Sequence, residues 1–407
     1  MNRDLTRITV TPKCEKFIKS GHVWVYGEEI TDISDKCENG DTVDVYTQKG
    51  KWLGAGFYNG NSKIAVRIIS KNANDSFDEA FWYRRVKYAV EYRKTVMGAD
   101  FDCCRIIFGE SDGFPGLTVD KFNDVLVTEV LSLGTELIKD VIYKALIEVL
   151  KEYGSNTRVI YERNESPIRE KEVLAKYKGF YIRDGLETET DGHVIITENS
   201  IKYDVDYING QKTGFFLDQK YNRVAFARLA KGKTVLDCCT HTGAFALNAA
   251  AAGAASVTAV DISDDALLAA RRNADLNSLT DKIDFVKSDM FDLLSELSKY
   301  PIRKFDLIIL DPPAFTKSSS TVKSAYRGYK EVNTNALRAL QRGGYFATCS
   351  CSHFMTEELF REMLVESARD AGVTLKEIEV RRQSPDHPIL WGVPETAYLK
   401  FFLFQKI

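Results

Sequence analysis

No stretch of this sequence approaches the roughly 18 uninterrupted apolar residues of a membrane span. The beginning, MNRDLTRITV, lacks the apolar core of a secretion signal, so the cytoplasm is the expected compartment. A surplus of positive charge is missing too: 55 basic residues against 58 acidic ones leave −3 at pH 7. That excludes a protein holding nucleic acid by bulk charge, while a local basic face stays open. Cysteine occurs at eight positions, yet no two form a C-x-x-C pair, and only five histidines are available as co-ligands. Metal-ligand spacing is therefore absent. Without an export signal a disulfide framework is not expected either. Most of the thiols read as buried small hydrophobes. Repeats and low-complexity segments are lacking, apart from a short Ser/Thr-rich run at 316–321.

What is there is a globular composition, 44% hydrophobic and 28% charged, over 407 residues. That length suits roughly two to three domains. Residues 1–72 carry short β-rich runs at 8–12, 22–27, 41–47, 52–58 and 63–70, broken by Gly40, Lys49-Gly50 and Asn59-Gly60-Asn61. They predict a compact β-barrel with a local charge of +2, from eleven basic and nine acidic residues. A central α+β domain is expected at 73–190, with helices over 76–97 and 136–153, a β-hairpin region at 105–132 and a strand at 158–164. A further strand is expected at 195–207. Across 191–407, strands at 234–238, 256–261, 283–287, 305–311 and 344–350 alternate with helical segments. Runs at 374–382 and 398–406 suit a closing antiparallel pair. Near-continuous apolar runs such as Asp306–Leu310 fit central strands of a parallel sheet covered on both faces. The expectation is a multidomain chain ending in a doubly wound α/β domain with seven strands, mostly parallel.

In such a sheet, ligands sit outside the carboxyl ends of the strands. The first such end is LDCCTHTGAFALNAA, where Asp237 closes a strand and Gly243 opens a helix. Cys238, Thr240, Ala244 and Phe245 surround that turn. Only Gly243 is a glycine, so the dinucleotide pattern G-x-G-x-x-G is missing and a nicotinamide reading lacks its phosphate cradle. Asp261, with Ile262 beside it, stands at the second strand end, placed to accept from two ribose hydroxyls. Ser288-Asp289-Met290 stands at the third, placed for an adenine amine and ring. An aspartate at a strand end is also an ordinary helix cap. Three of them around a turn unsuited to phosphate fit S-adenosylmethionine (SAM), which has a ribose and an adenine but no phosphate.

The fourth strand ends in Asp311-Pro312-Pro313-Ala314-Phe315, where two prolines fix the backbone behind a carboxylate. Elsewhere D-P-P would be a plain turn. The fifth ends in ATCSCSH, with Cys349 and Cys351 on the same side of an extended strand and Cys351 nearer the mouth. Either thiol could be simple packing. Beside a methyl donor, however, a cysteine suggests methylation at carbon 5 of a pyrimidine, with the thiolate adding to carbon 6. Asp311 would then steady N3 and the exocyclic amine of a cytosine taken out of its stack. The segment 316–330 holds Lys317, Lys323, Arg327 and Lys330 without an acid, interleaved with Tyr326 and Tyr329. Such a mix suits RNA phosphates and stacked bases, or simply a solvated helix face.

The segments GHVWVYGEEI, GESDGFPGLTVDKF, TGFFLDQKYNR, LDCCTHTGAFA, DPPAF and TCSCS, in this order, span nearly the whole chain. With them the sequence resembles the RlmI-type ribosomal RNA cytosine-C5 methyltransferases, large-subunit enzymes with an N-terminal PUA domain. The resemblance implies a PUA-like RNA-binding barrel at 1–72, the central domain, and a class I, Rossmann-like SAM-dependent methyltransferase domain at 191–407. It also implies 23S ribosomal RNA as substrate, no metal, and Phe216, Asp218 and Gln219 as walls of the SAM pocket. The family's motif cysteine matches Cys351. Related guanine-N7 methyltransferases share D-P-P-x-F but lack that cysteine. His353 departs from the glycine often found there. Two other readings stay open: methylation of a base nitrogen, which needs no thiol, and a non-catalytic PUA-based RNA-binding or ribosome-assembly factor. Intact Asp237, Asp261, Asp289 and D-P-P positions argue against the last. Oligomeric state is open, a homodimer being one option.

Overall fold

The computed structural model of the chain describes residues 5–299 and 305–407, so residues 1–4 of the stretch read for an export signal lie outside it. Among the described residues no helix is long and apolar enough to cross a membrane. The contacts divide the chain into two units. One comprises 1–194 with 205–217 and 385–396; the other comprises 195–204 with 218–384 and 397–407.

The first unit begins with β1 (Arg7–Val10), α1 (Pro12–Lys19), β2 (Trp24–Tyr26), β3 (Ile30–Ile33), β4 (Thr42–Thr47), β5 (Trp52–Tyr58) and β6 (Ile64–Ser70). The strands form a six-stranded sheet in the order β2-β6-β5-β4-β1-β3. The sequence pattern predicted five strands and no helix. α1 forms because Pro12 presets the first helical turn and the Thr11 hydroxyl accepts from Cys14 N at 3.2 Å. Its Cys14 and Ile18 then join Ile8, Val10, Val25, Val43 and Val45 in one core. Burying Ile18 contributes about 2 kcal/mol, which stabilises a helix too short to stand alone.

The same unit continues with α2 (Glu79–Met97), β7 (Cys103–Phe108), β8 (Leu117–Phe122), β9 (Val125–Val130), α3 (Leu133–Glu152), β10 (Val159–Asn164), α4 (Ile168–Lys171) and β11 (Tyr177–Phe180). A five-stranded sheet runs β11-β10-β9-β8-β7. Its helices share an interior with the first sheet. Phe57 of β5 stacks on Trp82 of α2, centroids 5.9 Å apart, and a Cβ on Gly134 of α3 would come within 2.2 Å of Phe57. β12 (His193–Glu198) and β13 (Ile201–Asp206) then pair as a hairpin where a single strand was expected. Asn199 and Ser200 take φ of 54° and 65°, the two left-handed residues that turn a tight hairpin.

The second unit holds α5 (Lys220–Ala227), β14 (Thr234–Cys238), α6 (Ala244–Ala251), β15 (Ser256–Asp261), α7 (Asp264–Leu276), β16 (Ile283–Lys287) and α8 (Met290–Lys299). After them come β17 (Phe305–Leu310), α9 (Val322–Ala339), β18 (Leu340–Ser350), α10 (Glu357–Ala371), β19 (Leu375–Arg381) and β20 (Lys400–Lys406). The seven-stranded sheet runs β16-β15-β14-β17-β18-β20-β19, parallel except where β20 meets β18 and β19. Leu236, Cys238, Ile308 and Leu310 point into a core built by α8, α9 and α10. Alternate positions point the other way, and there Asp237 meets α6. Strand order runs outward from β14 to β16, then resumes at β17 on the far side of β14. That reversal opens a crevice at the carboxyl ends of β14 and β17, where open α/β sheets take ligands.

Candidate functional site

The turn after β14 is built around Asp237, which is fully buried. Its Oδ2 accepts from Thr240 Oγ1 at 2.6 Å and from Ala246 N, in the first turn of α6, at 2.9 Å. The carboxyl thus serves the helix start that Gly243, without a side chain, cannot. Cys239, His241 and Gly243 all take left-handed φ, at 63°, 51° and 81°. Gly243 is needed twice over, since a Cβ there would also press on Ala270 Cβ at 3.1 Å.

Asp261 ties this turn to β15. Its Oδ2 accepts from His241 N at 2.9 Å and its Oδ1 from Ser263 N at 3.0 Å. The cap of α7 is Ser263, which accepts from Ala266 N at 3.3 Å, so Asp261 is not spent as a helix cap. A carboxylate offers about four acceptor directions, which leaves two for ribose hydroxyls. Asp289 does serve its helix, accepting from Phe291 N at 2.7 Å. Met290 is buried beneath it and meets Cys239, Sγ to Sδ, at 3.8 Å. Cys238, Thr240, Ala244 and Phe245 are buried, with Phe245 packed edge-on against Phe226. Ser288 is half-buried and Ile262 is 64% exposed at the rim.

Beyond β17, Asp311 is half-buried, Pro312 is buried and Pro313 exposed. Gln219 Nε2 donates to Asp311 Oδ1 at 3.1 Å. Asp218 is held by Tyr398, whose hydroxyl donates to its Oδ2 at 2.6 Å, and by Ser384 N, which donates to its carbonyl at 2.8 Å. Phe216 is half-buried and belongs to the segment 205–217 of the first unit, whereas Asp218 opens the second. Burial pushes the Asp237 carboxyl up to about 7, and the charge of Asp311 adds to this against the Thr240 hydrogen bond. Asp311 also rises to about 7, from burial first and the charge of Asp218 second.

Two buried acceptors, Asp237 Oδ1 and Asp218 Oδ1, have no hydrogen-bond partner among the described residues. Leaving such an atom unpaired costs about 1–3 kcal/mol. SAM carries an ammonium, two ribose hydroxyls and an adenine amine, all of them donors. The residues present therefore fit that group.

The two thiols differ sharply. Cys349 is fully buried in β18, opposite Phe401, and hydrogen-bonds with Gln219 and Asp311. Cys351 lies just past the strand end and is half-buried. Burial pushes it up to about 11, the charges of Asp311 and Asp218 add to this, and Lys400 opposes them. Its neighbours are pinned: the Tyr329 hydroxyl lies 3.1 Å from both Ser350 Oγ and Ser352 Oγ. His353 is exposed and keeps an ordinary negative φ, so its position makes no demand for glycine.

Lys317, Lys323 and Arg327 are exposed and form no ion pair among the described residues. Lys330, in contrast, is neutralised by Glu366 and Asp370, each at 2.9 Å. Val322, Lys323, Tyr326, Arg327 and Leu359 line a surface hollow of about 450 Å³. Sequence reasoning missed Cys239, Tyr398, Ser384 and Lys400. The latter three come from the last 24 residues, where no motif announces that they return to the site.

A family of PUA-like domains matches residues 8–71, and the S-adenosylmethionine-dependent methyltransferase family matches residues 169–405. Ribosomal RNA large subunit methyltransferase I of Pseudoalteromonas atlantica is 39% identical over 397 residues, covering 97% of this chain and 98% of its own. Its namesake in Aeromonas hydrophila is 40% identical, covering 95% and 96%. A solved Streptococcus mutans protein described as a SAM-dependent methyltransferase superposes with a TM-score of 0.82 at 22% identity, covering 98% and 99%. A solved methyltransferase complexed with SAH gives 0.81 at 21% identity, with the same coverage. At those identities the structural likeness is one of fold.

Proposed function

The chain belongs to the SAM-dependent ribosomal RNA large subunit methyltransferase I family, and on that premise we propose that it methylates carbon 5 of a cytosine in 23S ribosomal RNA through Cys351. The observation that carries the reading is the contrast between the two thiols: Cys349 is sealed in the sheet, whereas Cys351 is partly open beside Asp311. Bound SAM supplies an electrophilic methyl group on a sulfonium sulfur. The Cys351 thiolate forms a bond to carbon 6, and the pair of the C5=C6 bond moves to carbon 5, which takes the methyl as its bond to the sulfonium sulfur breaks and that bond's pair stays on the sulfur. Loss of the carbon 5 proton to a base restores that double bond and breaks the S–C6 bond, returning the thiolate.

Asp311, pushed up to about 7 by burial and by the charge of Asp218, can donate to N3 in its acid form and accept from the exocyclic amine. Lys317, Lys323 and Arg327 meet backbone phosphates, and Tyr326 offers a ring to a neighbouring base. The six-stranded sheet of the first unit, matched by PUA-like domains, supplies part of the RNA grip. A cytoplasmic location goes with such a substrate. The test maps 5-methylcytosine in 23S RNA from cells with and without this protein. One cytosine should lose its mark in the latter. Unchanged 5-methylcytosine with a lost nitrogen methylation would overturn the reading.

A further inference from the structure

Lys400 begins β20 directly opposite Ser350 of β18, one residue before the proposed nucleophile. It is only 6% exposed, although lysine is rarely buried without a carboxylate partner. Its Nζ donates to the Ser352 carbonyl at 2.7 Å. An ammonium has three N–H donors, and the other two find no acceptor among the described residues. The nearest anionic influence besides Cys351 is Glu357, at the start of α10, which is engaged by Arg361 and Arg382. A buried cation with one neutral acceptor is costly unless an anion forms beside it. Cys351, whose two flanking serines are both tied to Tyr329, is the group placed to become that anion.

We propose that Lys400 is a positioning residue for Cys351: its buried ammonium holds the backbone at Ser352 and stabilises the thiolate. When the thiol gives up its proton to solvent, a thiolate–ammonium pair results, without any other change of bonding. The charged groups facing Cys351 are Asp311 beyond β17, Asp218 before α5 and Lys400 on β20, with the Tyr329 hydroxyl on α9. The two carboxyls oppose thiolate formation, while Lys400 favours it first and a backbone hydrogen bond second. Burial lowers Lys400 itself to about 8. Its help is therefore present below that pH and fades above it.

The inference rests on Cys351 being the nucleophile, and the two can fail separately. In the full chain without RNA, alkylation of Cys351 by iodoacetamide is followed by mass spectrometry of its peptide across about pH 6 to 10. Lys400→Gln keeps a donor for the Ser352 carbonyl but no charge; Lys400→Met removes both. Below about pH 8, both variants should alkylate about tenfold more slowly than wild type, the equivalent of one pKa unit. The ratio should shrink toward one at higher pH. Lys400→Arg, whose guanidinium stays charged throughout, should alkylate like wild type below about pH 8 and keep its advantage over Lys400→Gln above it. A loss of the same size at every pH would reveal a purely structural lysine and overturn the proposal, as would no change at all. If Lys400→Met does not fold, Lys400→Gln reads the same outcome. Trapping by RNA containing 5-fluorocytidine tests the nucleophile independently: no adduct on wild type defeats Cys351 while the alkylation profile still judges Lys400.

Discussion

Gln219 aims Asp311: its side-chain amide donates to Asp311 Oδ1 at 3.1 Å, while its own carbonyl accepts from Asn222 Nδ2 at 2.6 Å. A carboxyl of the D-P-P motif is thus oriented by a glutamine 92 residues earlier. The amide cannot turn around, because Asn222 occupies its oxygen. Gln219→Ala should release Asp311 and lower kcat/KM for RNA by tenfold or more, the size expected for a lost hydrogen bond to a carboxylate of about 1.5–3 kcal/mol. Thermal unfolding should move little by comparison. Unaltered turnover in that variant would show that Asp311 needs no such guide.

Cys351→Ala should abolish methylation while SAM and RNA still bind, since the covalent step has no substitute. Cys349→Ala should keep measurable turnover and lose some stability, because its thiol fills a fully buried position. RNA carrying 5-fluorocytidine at the target should trap wild type as a covalent complex, fluorine being unable to leave as a proton does. Trapping through Cys349 in the Cys351→Ala variant would keep the chemistry and move the nucleophile.

Asp237 should make the SAM-free protein less stable as pH rises. Below its ordinary value of 3.8 the carboxyl is protonated in both states and nothing is lost. Between there and about 7, the unfolded chain sheds the proton while the buried group keeps it, so stability falls with pH. Asp237→Asn removes this dependence. Its stability relative to wild type, from urea unfolding, should improve steadily over that interval even as SAM affinity drops. A constant gap across the interval would mean that Asp237 titrates normally.

Replacing Lys317, Lys323 and Arg327 together by glutamine should weaken RNA binding and leave SAM binding intact. If each cation meets one phosphate of single-stranded RNA, the slope of log affinity against log salt should flatten by about two. An unchanged slope would mean that these side chains only face solvent. The barrel's own share calls for surface substitutions rather than deletion of 1–72, since deletion would strip Phe57 from Trp82.

Much of the second unit was legible because its signals are local. Apolar runs such as Phe305–Leu310 mark buried parallel strands. The aspartates at 237, 261, 289 and 311 stand where strands or loops give way to the ligand edge, and chain order alone places them there. α1 was illegible because eight residues carry too little periodicity to outweigh neighbouring strand signals. The split of 195–207 was missed because Asn199-Ser200 is a weak turn signal without glycine.

By itself the sequence determined which residues stand at the carboxyl ends of the strands, since alternation and apolar runs are properties of neighbouring positions. The tertiary structure alone decided which of two cysteines is sealed and which is open. Their alternation ends with β18 at Ser350, and Cys351 lies beyond the strand. It also decided that Lys400 faces Ser350 and that Tyr398 reaches back to Asp218, 180 residues away. The first of these follows from the antiparallel register of β20 on β18. That register is set by packing the whole sheet, and no local period of the chain encodes it.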